Sequence, residues 1–563
     1  MQSLSPFLAT GTPRFDDSRV ALCATAQGLQ AAWSLTFASA TDNAAQVAKV
    51  MKEVRGDFAV GIQLVDGTVV LAVDRFAIQT LCYRIADGQL QFAARADDVA
   101  GNDGQVDPQA IFDYLYFHVI PSPRTIFKGV MRLPAGHFAM FKHGTITVAP
   151  YWVPTFEELR NASFDELKSE FRSLLKNAVA TQLDGGKPGC FLSGGTDSST
   201  VAGMISEASG KQAATYSIGF DAQGYDEMEF ARIAAKRFNT EHHEYYVTPD
   251  DLVRSIPSVA AHYDQPFGNS SALPAYYCAK MARDSGVTKI LAGDGGDELF
   301  GGNTRYAKQR VFGGYDSIPN GLRTSVLEPL CQQSFMDKIP LIRKGASYVN
   351  QAKVPMPDRM MTYNLVTRLG LKEVLSPAFL SQVDTEAPAR QQRSLWGEAR
   401  TDSLVNRMLA FDWRYTLADC DLPKVMGTTS LAELKVGFPM LDDDLLAFSQ
   451  RLPTSYKLKG LKLRWFFKEA LKGFLPDEII TKKKQGFGLP FGVWANQTPT
   501  LKRLASNSLE SLANRGLVRP AFVKELLTER LAEHSGYYGE MIWILMMLEQ
   551  WLQAKAPNFK VQT

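Results

Sequence analysis

Cysteine is scarce and scattered in this chain: six in 563 residues, at positions 23, 82, 190, 278, 331 and 420, with no Cys-x-x-Cys pair. That spacing disfavours a zinc site or a disulfide scaffold and fits a reducing compartment such as the cytoplasm. Surplus charge is lacking too. The formal net charge is +2, so nothing global points to nucleic acid or an acidic membrane surface. No apolar run is long enough to span a bilayer. The longest late one, Met541 to Leu548, is flanked by Glu540 and Glu549 and reads as a buried core helix. The opening Met1-Gln2-Ser3-Leu4-Ser5-Pro6 has no basic stretch followed by an apolar core, the pattern of a signal peptide. Repeats and low-complexity segments are absent. What is present is ordinary for a globular chain, 45% apolar and 21% charged residues, and the length asks for two or more domains.

Residues 1 to about 150 read as mostly β. Phe58–Val65 and Val69–Val73 are strands joined at Asp66-Gly67, a hairpin signal. Leu90–Ala94 and Thr145–Ala149 are further strands, the latter ended by Pro150. A helix is expected at Pro108–Phe117, capped by Asp107 with proline in its first turn. Pro150 and Pro154 then mark a joint, dividing the chain into domains at 1–155 and 160–563. Beyond it helix and strand alternate: an amphipathic helix over Phe164–Gln182, then strands at 188–192, Ala214–Phe220 and Lys289–Gly293. This alternation predicts an α/β domain, a doubly wound parallel sheet with helices on both faces, followed from about 305 by a mainly helical extension. Ligands of such sheets lie at the carboxyl ends of the strands.

One stretch organises the rest: Phe191-Leu192-Ser193-Gly194-Gly195-Thr196-Asp197-Ser198-Ser199. A buried strand turns through two glycines into a helix. The glycines let the backbone bend and leave its N–H groups open. Ser198 and Ser199 fall near the first free amides, where the helix dipole favours anions. Asp197 is a carboxylate inside an anion-binding corner, which makes sense if a cation such as Mg²⁺ lies between it and a phosphate. Gly-Gly alone would suit any strand–turn–helix, but the full Ser-Gly-Gly-x-Asp-Ser-Ser string is far more specific. No Gly-Lys-Ser/Thr follows, so it is not a Walker A loop. A second cluster, Gly293-Asp294-Gly295-Gly296-Asp297-Glu298, places several carboxylates on a glycine-rich rim after a strand.

Together these strings resemble the asparagine synthetase family of the ATP pyrophosphatase superfamily. Tyr225-Asp226-Glu227, His242-His243-Glu244, Asp264-Gln265-Pro266-Phe267, Ser270–Pro274 and Lys484-Gln485-Gly486-Phe487 match that family in order. Gly56–Ala59, Asp74-Arg75-Phe76 and Pro121–Val130 resemble its glutaminase domain, of the Ntn-hydrolase type. The resemblance implies an ATP- and Mg²⁺-dependent ligase. ATP would be bound by Leu192, Ser193, Gly194, Gly195, Asp197, Ser198, Ser199, Ser217, Ile218 and Gly293, with Mg²⁺ on Asp197 and Asp297. A substrate carboxylate would attack the α-phosphate and release pyrophosphate; an amine or ammonia would then displace AMP to form an amide. Asp294 would draw the cationic nitrogen. Lys482, Lys483 and Lys484 are candidates to stabilise the departing pyrophosphate. The family's catalytic lysine aligns with Arg464, with Lys462 two residues earlier, and both stand as candidates. No nucleic acid or membrane partner is implied, and two copies could pair as a homodimer.

Two further departures qualify the resemblance. The family's glutaminase nucleophile is a cysteine at residue 2, where this chain has Gln2; its first cysteine is Cys23 in a strand-like stretch. Glutamine hydrolysis is therefore expected to be lost, as in the β-lactam synthetases and lasso-peptide cyclases that this pattern resembles. The β-lactam type carries tyrosine at the Asp294 position, whereas asparagine-forming members carry an acid, as here. Finally, Met426, Lys435 and Gly437 stand where the family has Asp, Glu and Arg, either because the acceptor is not aspartate or because a structural ion pair has been lost. The competing expectations are asparagine synthesis from aspartate and a non-catalytic nucleotide-binding homologue.

Overall fold

The computed structural model describes residues 7–15, 26–38, 43–161, 163–316, 318–323, 325, 348–362, 364–483 and 488–562. Gln2, Cys23 and the Lys484-Gln485-Gly486-Phe487 segment lie outside the described residues.

The N-terminal half holds two antiparallel sheets. Strands β1 (Phe7–Gly11), β2 (Phe58–Gln63), β3 (Val69–Val73), β7 (His137–Lys142) and β8 (Thr145–Pro150) form one, in the order β1-β2-β3-β7-β8. Strands β4 (Cys82–Ala86), β5 (Gln89–Ala93) and β6 (Met131–Arg132) form the other, with β4 central. The β2–β3 hairpin turns where expected: Asp66 accepts the Thr68 N–H at 3.1 Å and Gly67 adopts φ +84°. Asp107 caps the helix Pro108–Phe117 by accepting the Gln109 N–H at 3.0 Å. Strands β1, β4, β6 and β7 carry no alternation strong enough to announce them in sequence. They exist because pairing with β2, β3 and each other satisfies their backbones.

The second half is built on a five-stranded, all-parallel sheet of order β11-β10-β9-β12-β13. Its strands are β9 (Gly189–Phe191), β10 (Ala214–Phe220), β11 (Glu241–Val247), β12 (Lys289–Leu291) and β13 (Lys435–Gly437). β10 is buried along nearly its whole length, as a strand covered on both faces must be. The expected strands at 188–192 and 289–293 both stop early. At Leu192 and Ala292 the chain leaves the sheet to form the two loops of interest. β13 was not expected: three residues, Lys-Val-Gly, become a strand only because β12 offers its edge. The helix Phe164–Ala180 buries Leu167, Phe171, Leu175 and Ala178 on one stripe.

Strand order reverses between β9 and β12, so the sheet's crevice opens there, between the Ser193 loop and the Gly293 loop. Met541–Leu548 lies within the buried helix Ser535–Lys555, whose Glu549 is held by Arg515 at 2.8 Å and Ser511 at 2.7 Å. No helix among the described residues is long and apolar enough to cross a membrane.

The two halves share a core and are pinned by charge. Tyr114 donates to the Ile544 carbonyl at 2.8 Å, and Ile111, Phe112 and Phe127 sit in one apolar cluster with Trp543 and Trp551. Arg14, Arg55 and Arg75 of the first half meet the run Asp442-Asp443-Asp444 of the second at 2.7, 2.5 and 2.8 Å. The connecting segment is packed rather than loose: Trp152 and Phe156 lie 6.0 and 5.2 Å from the Trp413 ring. The Trp413 indole in turn donates to the Glu298 carbonyl at 3.0 Å, tying this segment to the acidic rim.

Candidate active site

The Ser193 loop closes on itself. The Ser193 N–H donates to Ser198 Oγ at 3.1 Å, the two hydroxyls lie 3.1 Å apart, and the Gly195 N–H donates to Ser193 Oγ at 3.3 Å. Gly194 must be glycine: its φ is +68°, and a Cβ there would lie 2.5 Å from the Ala231 nitrogen and 2.6 Å from Phe230 Cβ. Gly195 opens the helix Thr196–Ser209 without a side-chain cap, so no residue of the cap position competes for the first amides. Ser199 Oγ is buried and has no hydrogen-bond partner among the described residues, a hydroxyl that a bound phosphate could satisfy. Ser217 on β10 is buried and donates to the Leu192 carbonyl, holding the strand end; Ile218 follows it, partly buried.

The acidic rim lies directly against this loop. A Cβ on Gly293 would sit 2.8 Å from the Ser198 nitrogen, and one on Gly296 only 1.9 Å from Asp197 Oδ1. The rim's other side abuts Leu441, 2.2 Å from where a Gly295 Cβ would be. Asp197 and Asp297 therefore face each other, and Arg464 stands between them. Its Nη1 lies 2.6 Å from Asp197 Oδ2, 2.8 Å from Asp297 Oδ1 and 2.9 Å from Thr196 Oγ1, while Nη2 donates to Asp197 Oδ1. Burial works against the guanidinium, but Asp197 and Asp297 hold it firmly charged.

Two carboxylate oxygens converging on one nitrogen are also hard donors of the kind a magnesium ion would require. No cluster of three or more metal-ligating side chains occurs among the described residues. Phosphate oxygens and water would complete the shell, as Mg²⁺ commonly accepts.

Asp294 has a different partner. Lys424 of the helix Leu422–Leu431 approaches it at 3.6 Å and Asp421 at 3.2 Å. Burial raises the Asp294 carboxyl above its ordinary range, with Lys424 pulling the other way. Asp421 ends a wide-turn helical stretch, Trp413–Asp421, whose Asp419 is gripped from the first half by Ser122 at 3.0 Å and Arg132 at 3.1 Å. Lys424 and Asp421 were not among the sequence candidates. Nothing in the string Asp421-Leu422-Pro423-Lys424 signals a partner on the distant β12 loop.

The remaining candidates divide. Lys462 is exposed in the small hairpin of β14 (Leu458–Lys459) and β15 (Lys462–Leu463), whereas Arg464, two residues later, is buried in the acid pair. Lys482 pairs with Glu227 at 3.0 Å and lies 4.4 Å over the ring of Phe230; Lys483 is exposed. Met426 packs against the apolar core. Lys435 is exposed at the amino end of β13, opposite the end where the crevice opens, and Gly437 is closed off by Gln182 and Leu291.

A family model described as asparagine synthase matches residues 170–553, and one described as a glutamine amidotransferase domain matches residues 43–152. The chain belongs to the asparagine synthase family. Asparagine synthetase [glutamine-hydrolyzing] 1 of Bacillus subtilis is 26% identical over 85% of this chain and 74% of that protein. A putative asparagine synthetase [glutamine-hydrolyzing] of Mycobacterium bovis is 26% identical over 89% of this chain and 77% of its own length. Amidase chyE of Penicillium rubens is 23% identical over 84% and 77% respectively. The family makes this chain an ATP-dependent, AMP-forming carbon–nitrogen ligase.

Proposed function

We propose that this ligase loads a substrate carboxylate with AMP and passes the acyl group to an amine or ammonia, with no glutamine hydrolysis of its own. The observation that carries this reading is the convergence of Asp197 and Asp297 on one point beside an uncapped helix start, at the sheet's switch point. The triphosphate tail would lie along Ser193–Ser199, with the open amides and Ser199 Oγ meeting its anionic oxygens. Asp197 and Asp297 would hold Mg²⁺, which when bound neutralises charge on the phosphates. The substrate carboxylate oxygen forms a bond to the α-phosphorus as the bond to the β-phosphate oxygen breaks and pyrophosphate leaves. The nitrogen then attacks the acyl carbon and AMP departs. That nitrogen must shed a proton, and Asp294, with its carboxyl raised by burial, would receive it.

Cys82, the cysteine described in the first half, offers no substitute for a glutaminase nucleophile. Cys82 lies buried in β4, and burial raises it far above the range of a reactive thiol. We read 1–155 as a framework domain and 160–563 as the ligase domain. The second reading, asparagine from aspartate and ammonia, is favoured by the acid at Asp294 and the names of the relatives. Purified protein given Mg·ATP and a panel of acids should release pyrophosphate with its substrate. Release with aspartate and ammonia would select the second reading, and glutamate formed from added glutamine would overturn the first. A failure to bind Mg·ATP would leave a non-catalytic homologue.

A further inference from the structure

Arg464 occupies a place built for it. Its side chain is 4% exposed, its guanidinium lies 3.9 Å over the Phe467 ring, and its N–H donates to the Gly301 carbonyl at 3.2 Å. Its backbone is left-handed, φ +52°, a conformation that a non-glycine residue keeps only when its surroundings require it. Two glycines make the room. A Cβ on Gly302 would lie 1.7 Å from Asp297 Oδ1 and 2.7 Å from Arg464 Cδ, and one on Gly296 would lie 3.1 Å from Arg464 Nη2.

The guanidinium thus takes up oxygens of both carboxylates assigned above to the metal. We propose that Arg464 is a resident counter-ion that competes with the divalent cation for Asp197 and Asp297, so that the metal enters together with the nucleotide rather than before it. This rests on the reading that those two aspartates hold the cation. Both cations cannot use the same lone pairs. Bare metal must displace a buried guanidinium from both of its direct carboxylate partners, leaving it only the weaker pull of Glu298, which is costly. When the triphosphate is present, the displaced guanidinium finds phosphate oxygens, to which its planar fork is suited. A lysine could not grip Asp197 through two nitrogens as Arg464 does, because its ammonium offers no fork.

Mn²⁺ binding to the whole protein without nucleotide, followed by electron paramagnetic resonance of the free ion, tests this. The wild type is expected to bind Mn²⁺ weakly, and Arg464→Gln at least tenfold more tightly. Asp297→Asn added to Arg464→Gln should remove that gain. ATP should raise Mn²⁺ affinity more in the wild type than in Arg464→Gln. Arg464→Lys, which keeps the charge, should show a smaller gain and decides the matter if the glutamine variant does not fold. Equal Mn²⁺ affinity in wild type and Arg464→Lys or Arg464→Gln, or tight binding that survives Asp297→Asn, would overturn the proposal. Absence of pyrophosphate release with every acid would instead count against the ligase reading, and would leave the Mn²⁺ comparison standing.

Discussion

Replacing Gly296 by alanine tests the site with a single methyl group. The new Cβ would sit 1.9 Å from Asp197 Oδ1, where ordinary contacts between heavy atoms are about 3.5 Å. The Asp197 carboxylate must retreat by more than an ångström, or the rim must move away from the Ser193 loop. In either case Arg464 loses one of its two carboxylates. Breaking a fully buried pair costs about 3–5 kcal/mol. Asp197 is 20% exposed and Asp297 remains in place, so about 2–3 kcal/mol is the better figure here. Alanine's better helix propensity at this first helical position returns at most about 1 kcal/mol. The net loss, about 1–2 kcal/mol, would lower the melting temperature by a few degrees without unfolding the chain. The functional loss should be larger, because a 1 Å misplacement of a positioning group can cost about a hundredfold. Mg·ATP affinity by calorimetry, with pyrophosphate release once an acid is found, gives the readout. Gly397→Ala, whose Cβ would make only an ordinary contact at 3.5 Å with the Ser394 carbonyl, is the control and should leave both unchanged. If Gly296→Ala binds and turns over Mg·ATP like the wild type, the close facing of rim and loop has no part in the chemistry.

Other consequences can be checked separately. Asp294→Asn should leave pyrophosphate release largely intact but cut amide formation by about 10²-fold or more, measured as product per AMP. Lys457 is wholly buried, with Asn406 Oδ1 at 2.8 Å, and burial depresses its ammonium to about 7. The folded chain then binds fewer protons than the unfolded one between about pH 7 and the ordinary lysine value of 10.5, so stability should rise with pH across that window. Keeping the ammonium buried below pH 7 costs about 5 kcal/mol, so Lys457→Met, even with Asn406 left short of a donor, should stabilise by about 2–3 kcal/mol at pH 7. In denaturant melts that gain should be gone by pH 10. Arg75→Ala removes a 2.8 Å pair with Asp443 whose partners are 13% and 14% exposed, and should cost about 1–3 kcal/mol. An unchanged melting curve would show that the Arg75–Asp443 contact between the halves adds nothing.

Much of this protein was legible from local chemistry alone. A glycine pair between an apolar strand and a helix must bend sharply and bare its amides, and Gly194 at φ +68° and the uncapped helix start at Gly195 follow from that. The hairpin at Asp66-Gly67 and the cap at Asp107 are of the same kind, because their causes lie within four residues of the effect. The order of strands was another matter. β13 is three unremarkable residues that pair only once β12 is in place. The same is true of every contact made at long sequence distance. Arg464 and Lys462 stood together as candidates, since only two residues separate them in sequence. Only the packed chain buries one between two aspartates and leaves the other in water. Lys424 meets Asp294 because two elements cross, and no residue pattern near either records the crossing. Sequence therefore determined which segments could hold phosphate and acid. Tertiary structure decided that they face each other and which cation stands between them, because convergence of charges is a property of packing and not of any single stretch of chain.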